Sequence, residues 1–595
     1  MRAPWPVSPA PSELDDASDA QADALQAAAR LDRQWHALQA RAGAGWSPVS
    51  ISLAAMDWSL NWANSPATAA TRLLQWPAAV LEAWSATQAD AAPKSGAGAQ
   101  PAEPLRQLSQ ALLDGSQAWW QQSLALPGVS PHHSEVMRLL SNQASNFMAA
   151  ASWPLTQPEV LQTAMGSQGQ SLLRGARNKL NDWRLRHGLE PLPAPAEAES
   201  AVPPLAPGQG LATTPGEVVF RNDLVELIQY APSTPTVQRE PVFIVPSWIM
   251  KYYILDLSPH NSLVRYLVSQ GHTVFITSWR NPDASDALLG MDDYLQLGVF
   301  EPLAEVHAIT GEPVHAMGYC LGGTLLAIAA AALAAPGRRP GLEAMPELRS
   351  LTLLAAQVDF TEPGELGALI DAHQVQWLED MMAERGYLSG RQMGESFQFL
   401  HSRELIWQRA IREYLLGERD SGNDLMSWNA DLTRMPATMH SEYLHSLYLR
   451  NDLAQGRYPV AGEPVSLHDL RLPVFAVGTV TDHVSPWPSV YKIHQLTQAP
   501  LHFVLTRGGH NAGILSEPGH PRRSYQALTL AADAPRLTPE QWRQQAPSHE
   551  GSWWPAWSDW LIAQGSDESV TARVPAHIPE LGSAPGNYVM QRYAD

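Results

Sequence analysis

Between Val314 and Ala334 the chain passes from a short apolar run, Val314 to Met317, through Gly318-Tyr319-Cys320-Leu321-Gly322-Gly323 into an alanine- and leucine-rich helical pattern. Few local patterns restrict a fold as much. A strand that turns into a helix at one reactive residue needs small neighbours two positions before and after it, because strand and helix then nearly touch. Gly318 and Gly322 meet that need, and Gly323 relaxes it further. Cys320 occupies the position where such a turn carries its nucleophile, normally a serine. It is the one cysteine among 595 residues, which removes an internal disulfide or a multi-cysteine metal site from consideration. Packing as a small hydrophobe is the bland use of a lone thiol. A helix N-terminus favours an anion, so a nucleophilic thiolate suits the position better. The backbone N–H of Leu321 would then face a developing oxyanion.

The texture around this turn agrees. From Val218 onward, short β-branched runs alternate with helical segments. Strands are expected at Val218 to Phe220, Val242 to Pro246, Thr273 to Ser278, Val314 to Met317, Ser350 to Ala355, Val474 to Gly478 and His502 to Leu505. Most are near-continuous apolar runs, as parallel strands covered on both faces require. Together with the turn, they predict an α/β-hydrolase fold, a doubly wound and mostly parallel sheet. The stretch from about Ala372 to Leu467 is too long for a loop and predicts a helical cap over the site.

In that fold the acid and the base follow the nucleophile in chain order. Asp482, in Thr481-Asp482-His483, comes just after the Val474 to Gly478 run. His510, in Gly508-Gly509-His510-Asn511, comes just after the last apolar run. Both fall at carboxyl ends of strands, where open α/β sheets gather their ligands. His510 would move protons and Asp482 would orient its ring. Asp359 is the competing acid, and His483, His502 and His520 are nearby alternatives to His510. A second oxyanion donor is expected from the loop after Val242 to Pro246, with the backbone of Trp248 favoured. Tyr252 and Tyr253 read as packing residues.

The segments before Val218 are helical in pattern. Residues 1–90 and 105–210 form two helical units, separated by the Pro/Ala/Gly stretch Ala91 to Pro104. Pro191 to Gly210 makes a second linker before the catalytic unit at 211–595. The net charge of −20 with no basic run argues against nucleic acid. The longest apolar run, Leu325 to Ala335, falls short of the about 20 residues a transmembrane helix needs. The first residues lack the apolar core of a signal peptide, and paired cysteines are missing, so a cytoplasmic location is expected. The 22 tryptophans outnumber the 10 phenylalanines, which hints at surfaces that meet a lipid-like phase.

Several segments carry a family resemblance. Val245-Pro246-Ser247-Trp248-Ile249-Met250-Lys251-Tyr252-Tyr253-Ile254-Leu255-Asp256 resembles the polyhydroxyalkanoate synthases. So do Ser278-Trp279-Arg280-Asn281-Pro282, Gly318 to Thr324, Ser427-Trp428-Asn429-Ala430-Asp431 and Thr213 to Phe220. The likeness is closest to class I enzymes, and Gly45-Trp46-Ser47-Pro48 with Asp57-Trp58 resembles the extra N-terminal module of a longer subset. It implies Cys320 as acyl carrier, Asp482 as triad acid and His510 as base. It also implies an (R)-3-hydroxyacyl-CoA substrate, most often 3-hydroxybutyryl-CoA, and a growing polyester. No cofactor is implied beyond the CoA of the substrate, and no metal. A homodimer at the surface of cytoplasmic polyester granules follows from the same likeness. The chain departs from the family pattern at Ser145-Asn146-Phe147, where a proline is missing, and at Ser247 and Met250, which replace proline and asparagine.

A thiol suits such chemistry, because exchange between a CoA thioester and an enzyme thioester is nearly isoenergetic. Water is the competitor, so a cap that excludes it separates a polymerase from a hydrolase. A Cys-dependent thioesterase or intracellular depolymerase shares the same triad, and a non-catalytic granule-surface protein is the third reading. Arg280 and Arg434 are candidates for the coenzyme phosphates.

Overall fold

The computed structural model describes residues 13–42, 45–90, 103–148, 158–186, 189–190, 192–193, 205–337, 342, 344–394, 410–418 and 423–591. Most of the expected linkers, and residues 395–409 and 419–422 of the expected cap, lie outside the described residues.

Ten strands form one sheet: β1 (Gly216–Arg221), β2 (Val225–Tyr230), β3 (Val242–Val245), β4 (Val274–Trp279), β5 (Val314–Tyr319), β6 (Leu348–Leu354), β7 (Val474–Thr479), β8 (Leu501–Thr506), β9 (Ser524–Leu530) and β10 (Ser548–Glu550). Their order across the sheet is β10-β9-β8-β7-β6-β5-β3-β4-β2-β1. The six strands from β8 to β4 run parallel, and antiparallel pairs close both sides. The parallel strands are the apolar runs of the sequence. Alternate side chains feed two cores: Phe243 and Val245 enter one with the helix after Cys320, while Val242 and Ile244 enter the other with Met317 and Trp557. Strands β2, β9 and β10 are additions to the expected set, all antiparallel to their neighbours.

The outer edge of β1 is not open. Val218 N–H donates to Gly582 O at 3.0 Å and Ala584 N–H to Gly216 O at 2.9 Å, so a C-terminal segment pairs with the edge. Buried Glu226 on β2 accepts from the N–H groups of Asn587 and Tyr588, each at 2.9 Å, and pairs with Arg221 at 2.6 Å. Lys251 donates to the carbonyls of Tyr588 and Gln591 at 3.1 and 2.9 Å.

The chain before the sheet is helical: α1 (Glu13–Ala42), α2 (Pro48–Ala63), α3 (Pro66–Asp90), α4 (Glu103–Leu124), α5 (Pro131–Met148), α6 (Pro158–Gly166) and α7 (Gln170–Arg186). Ser47 caps α2 by accepting from Ser50 N–H, with Pro48 at the first helical position, where a missing N–H costs nothing. Asp57 on α2 accepts from Ser130 N–H at 2.9 Å and binds His133 at 2.6 Å, which ties α2 to the start of α5. The run after Cys320 is α8 (Leu321–Ala334), and the insertion between β6 and β7 contains α9 (Ala372–Met382) and α10 (Ala437–Tyr443). Among the described residues, no helix is long and apolar enough to cross a membrane.

Candidate active site

β5 leads into α8 through Cys320, whose backbone sits at φ 53° and ψ −126°. A non-glycine residue there stores about 1–3 kcal/mol of strain, held in place by its surroundings. The surroundings are tight. A Cβ on Gly318 would meet Gly323 Cα at 2.4 Å, and one on Gly322 would meet Val245 O at 2.2 Å and Pro246 O at 2.4 Å. The loop after β3, which carries Trp248, is therefore pressed against the first turn of α8. Leu321 is the first residue of that helix, so its N–H has no intrahelical acceptor. Trp248 is buried at 2% exposure, and its carbonyl accepts from Thr433 Oγ1 of the insertion at 2.5 Å.

Asp482 and His510 come together. His510 Nδ1 lies 2.8 Å from Asp482 Oδ2, with the aspartate side chain fully buried and the histidine 11% exposed. The other carboxylate oxygen accepts from the N–H groups of Val484 and Ser485 at 2.9 and 2.8 Å. Thr479 Oγ1 adds a donor at 3.1 Å. Thr481 N–H bonds Gly508 O at 3.0 Å, which stitches the loop after β7 to the loop after β8. Gly508 holds φ at 125°, a value open to glycine and little else. Two tryptophans fix the far side of the histidine loop, Trp553 donating to Gly513 O at 3.1 Å and Trp554 to Ile514 O at 2.9 Å.

Electrostatics follow from this packing. Burial opposes the Asp482 charge, yet His510 and the two amides outweigh it and hold the carboxyl below its usual range. Burial also works against a charged His510. The Asp482 carboxylate, with a further contribution from Cys320, overcomes it and lifts His510 well above its ordinary value. The arrangement thus favours an imidazolium beside the thiol, the state suited to hand a proton to a departing thiolate.

One element of the site gave no sequence signal. Tyr319, the last residue of β5, donates to Asn511 Oδ1 at 2.6 Å, and its ring centroid lies 5.7 Å from that of His510. It bonds the residue after His510 and directly precedes Cys320, so it ties the end of β5 to the loop after β8. Asp359, the competing acid, is committed elsewhere: its carboxylate accepts from Thr361 N–H at 2.8 Å and Asn451 Nδ2 at 3.2 Å. Lys492 sits 3.7 Å from it. His502 stacks on Phe475 and binds Thr529 Oγ1 at 2.7 Å. His520 binds Pro521 O at 2.7 Å. Neither of these bonds is to Asp482 or Cys320. Arg280 pairs with Asp286 at 2.5 Å, and Arg434 lies over the Tyr387 ring at 4.8 Å, so internal partners hold both proposed phosphate ligands. Tyr252 and Tyr253 are buried in the core, each 1% exposed.

A cysteine, a histidine and an aspartate at the ends of these strands do not by themselves name a reaction, and comparison with known proteins narrows it. The family model for the poly-beta-hydroxybutyrate polymerase N-terminus matches residues 101–267, and a second, for the N-terminal part of the same polymerases, matches residues 26–67. The alpha/beta hydrolase fold model matches residues 240–517. A poly(3-hydroxyalkanoate) polymerase of Methylorubrum extorquens is 38% identical over 468 residues, covering 78% of this chain and 75% of that protein. The chain belongs to the poly(3-hydroxyalkanoate) polymerase family. Another relative, a polymerase subunit of Rhizobium meliloti, is 35% identical over 78% of this chain and 74% of its own length. Among solved structures, a monoacylglycerol lipase of Paleococcus ferrophilus is similar at TM-score 0.31 and 12% identity, covering 57% of this chain and 99% of that one. The two polymerase models together take in α2, α4 to α7 and the later part of α1, while α3 falls almost wholly between them.

Proposed function

We propose that this chain polymerises (R)-3-hydroxyacyl-CoA, with 3-hydroxybutyryl-CoA the leading substrate, through an acyl-Cys320 intermediate. Membership of the polymerase family supports the reaction, and the single observation that carries the mechanism is the His510–Asp482 pair beside a strained, helix-starting Cys320. In the loading step, Cys320 Sγ attacks the thioester carbonyl, the bond to the CoA sulfur breaks, and His510 gives the leaving thiolate its proton. The 3-hydroxyl of an incoming unit then loses its proton to His510 and attacks the acyl-Cys320 carbonyl. The new ester releases the Cys320 thiol and leaves the lengthened chain on CoA. Attack by Cys320 on that thioester recovers the acyl-enzyme and frees CoA. The N–H groups of Leu321 and Trp248 are assigned to the oxyanion in each step. Asp482 keeps the His510 ring oriented. Residues 1–90, 105–210 and 211–595 are taken as three units, with the insertion at about 372–467 as a water-excluding cap. We place the protein as a homodimer at the surface of cytoplasmic polyester granules.

Incubating the purified full chain with 3-hydroxybutyryl-CoA tests the reading. CoA release with growing turbidity and an ester-linked product is expected, and Cys320→Ala should reduce release by at least about 1,000-fold. Stoichiometric CoA with only soluble 3-hydroxy acid would reassign the chain as a hydrolase.

A further inference from the structure

A cavity of about 560 Å³ opens between the N-terminal helices and the insertion. Ala37, Ala40 and Trp46 of the α1–α2 region form one wall, while Leu378 and Met381 of α9 and Leu444 form another. Its inner end is lined by Tyr443, Tyr448 and Ile249. Tyr443 belongs to the apolar cluster against which both Cys320 and Tyr448 pack. Ile249 adjoins Trp248 in sequence. We infer that this cavity holds the growing polyester chain as it leaves Cys320, and that the N-terminal helices supply one of its walls. The inference rests on the acyl-Cys320 reading above.

Three observations select the occupant. The volume falls within the about 300–1,000 Å³ of small-molecule sites, room for a short oligoester. The wall is mostly apolar when its alanines and tyrosines join the leucine, isoleucine, methionine and tryptophan side chains. Gln374 and Ser389 spend their donors inside the protein, and the charged residues Glu384, Arg385 and Arg391 stand exposed at the rim. A polyester presents methyl or alkyl groups and uncharged carbonyl acceptors, so it fits an apolar wall with an isolated donor. CoA, with its phosphates, does not. The isolated donor is His440, 3% exposed in that wall, whose Nδ1 has no hydrogen-bond partner among the described residues. Burial pushes its imidazole down to about 4, so it is neutral and can offer an N–H to an ester carbonyl.

The lone native cysteine makes the test direct. Ala40→Cys, deep in the wall, and Glu384→Cys, on the exposed rim, each add one thiol to the full-length enzyme. Each is treated with a methanethiosulfonate reagent, and labelling of each thiol is followed by peptide mass spectrometry. The comparison sets free enzyme against enzyme with CoA alone, with a monomeric acyl thioester, and with a non-extendable 3-hydroxybutyrate oligomer thioester. Expected is a thioester adduct on Cys320 in the last two arms, with labelling of the introduced thiols slowed at least ten-fold by the oligomer only. If Cys320 is acylated by the oligomer and labelling stays as fast as in free enzyme, the cavity assignment is overturned and the acyl-Cys reading survives. Protection by CoA alone would make the cavity a coenzyme channel and also overturn it. No adduct on Cys320 would bring down the acyl-Cys reading itself. If Ala40→Cys does not fold, Glu384→Cys alone decides, because the rim is reachable in the free enzyme. Ala40→Phe, which fills the wall, should keep the first equivalent of CoA release but shorten the polymer about ten-fold. Full-length polymer from this variant would contradict the proposal.

Discussion

Asp482 and Asp359 lie on loops at the same end of neighbouring strands, and only their contacts tell them apart. Asp482→Asn leaves the shape of the loop but removes the charge that holds a proton on His510. A fall in kcat of about 100- to 10,000-fold is expected, while Asp359→Asn should stay within a few-fold and lose stability through Thr361 and Asn451. The sign of the pH effect follows. His510 must be neutral to take the hydroxyl proton, and Asp482 lifts it well above its ordinary value against burial, so the acidic limb of kcat in the wild type lies above about pH 6.5. Without the Asp482 charge the desolvation of the ring remains, and the limb should move to lower pH. A limb that stays in place in a kcat–pH series would show that Asp482 does not act on His510. The pairing of Asp482 with His510 was legible because each follows an apolar run at the end of a strand. Tyr319 and Asn511 were not, because their bond joins side chains 192 residues apart and neither type marks a site by itself. Arg280 and Arg434 looked free as sequence, but a guanidinium declares its partner only in three dimensions.

At the scale of elements, the turn from β5 to α8 depends on the missing side chains of Gly318 and Gly322. Gly322→Ala puts a methyl into the carbonyls of Val245 and Pro246, backbone atoms that cannot rotate away. We expect a loss of at least about 3 kcal/mol, beyond the usual range for overpacking, seen as a drop in the urea midpoint of the purified protein. An unchanged midpoint would mean that strand and helix are further apart than described. The parallel strands were readable because they are apolar on both faces. Strand β2, Val-Glu-Leu-Ile-Gln-Tyr, hid itself: Glu226 and Gln229 break its apolar run without giving it a period of two, yet both are buried. What makes Glu226 tolerable there is a pair of amides from Asn587 and Tyr588, more than 350 residues away in the chain. Part of the tryptophan surplus is core: Trp542, Trp553, Trp554 and Trp557 are buried and three of them donate their indole N–H to buried acceptors, whereas Trp35, Trp76 and Trp183 on the N-terminal helices stay exposed.

Across the whole molecule, the N-terminal helices are bound to the insertion by a small set of polar contacts around α9. His36 Nδ1 meets Asp380 at 2.7 Å, and Ser47 N–H donates to Gln374 Oε1 at 2.8 Å. Asp371, the N-cap of α9, also accepts from Ser50 Oγ at 2.9 Å and binds His132 at 3.2 Å. Burial opposes the Asp371 charge, but His132, the Gln374 amide and Ser50 hold its carboxyl down at about 2. A depressed carboxyl stabilises fully above its unfolded value and loses that contribution as pH falls through the folded one. Asp371→Ala should therefore cost about 1–2 kcal/mol at neutral pH, constant down to about pH 4 and shrinking below it. Amide exchange in α2 and at the start of α9 should speed up by about ten-fold. Equal exchange in variant and wild type would show that the helices are held by apolar contact alone. None of this docking could be read from the chain, where α1 and α9 are separate amphipathic segments more than 300 residues apart.

The pairing of β1 with the segment around Gly582 to Ala584 also has a consequence for solubility. Without that segment β1 would present a row of unpaired backbone groups, a template on which strands of other chains can add. Glu226 would at the same time lose the amides of Asn587 and Tyr588. A truncation that removes this segment should therefore aggregate, so the covering strand guards the sheet as much as it supports it.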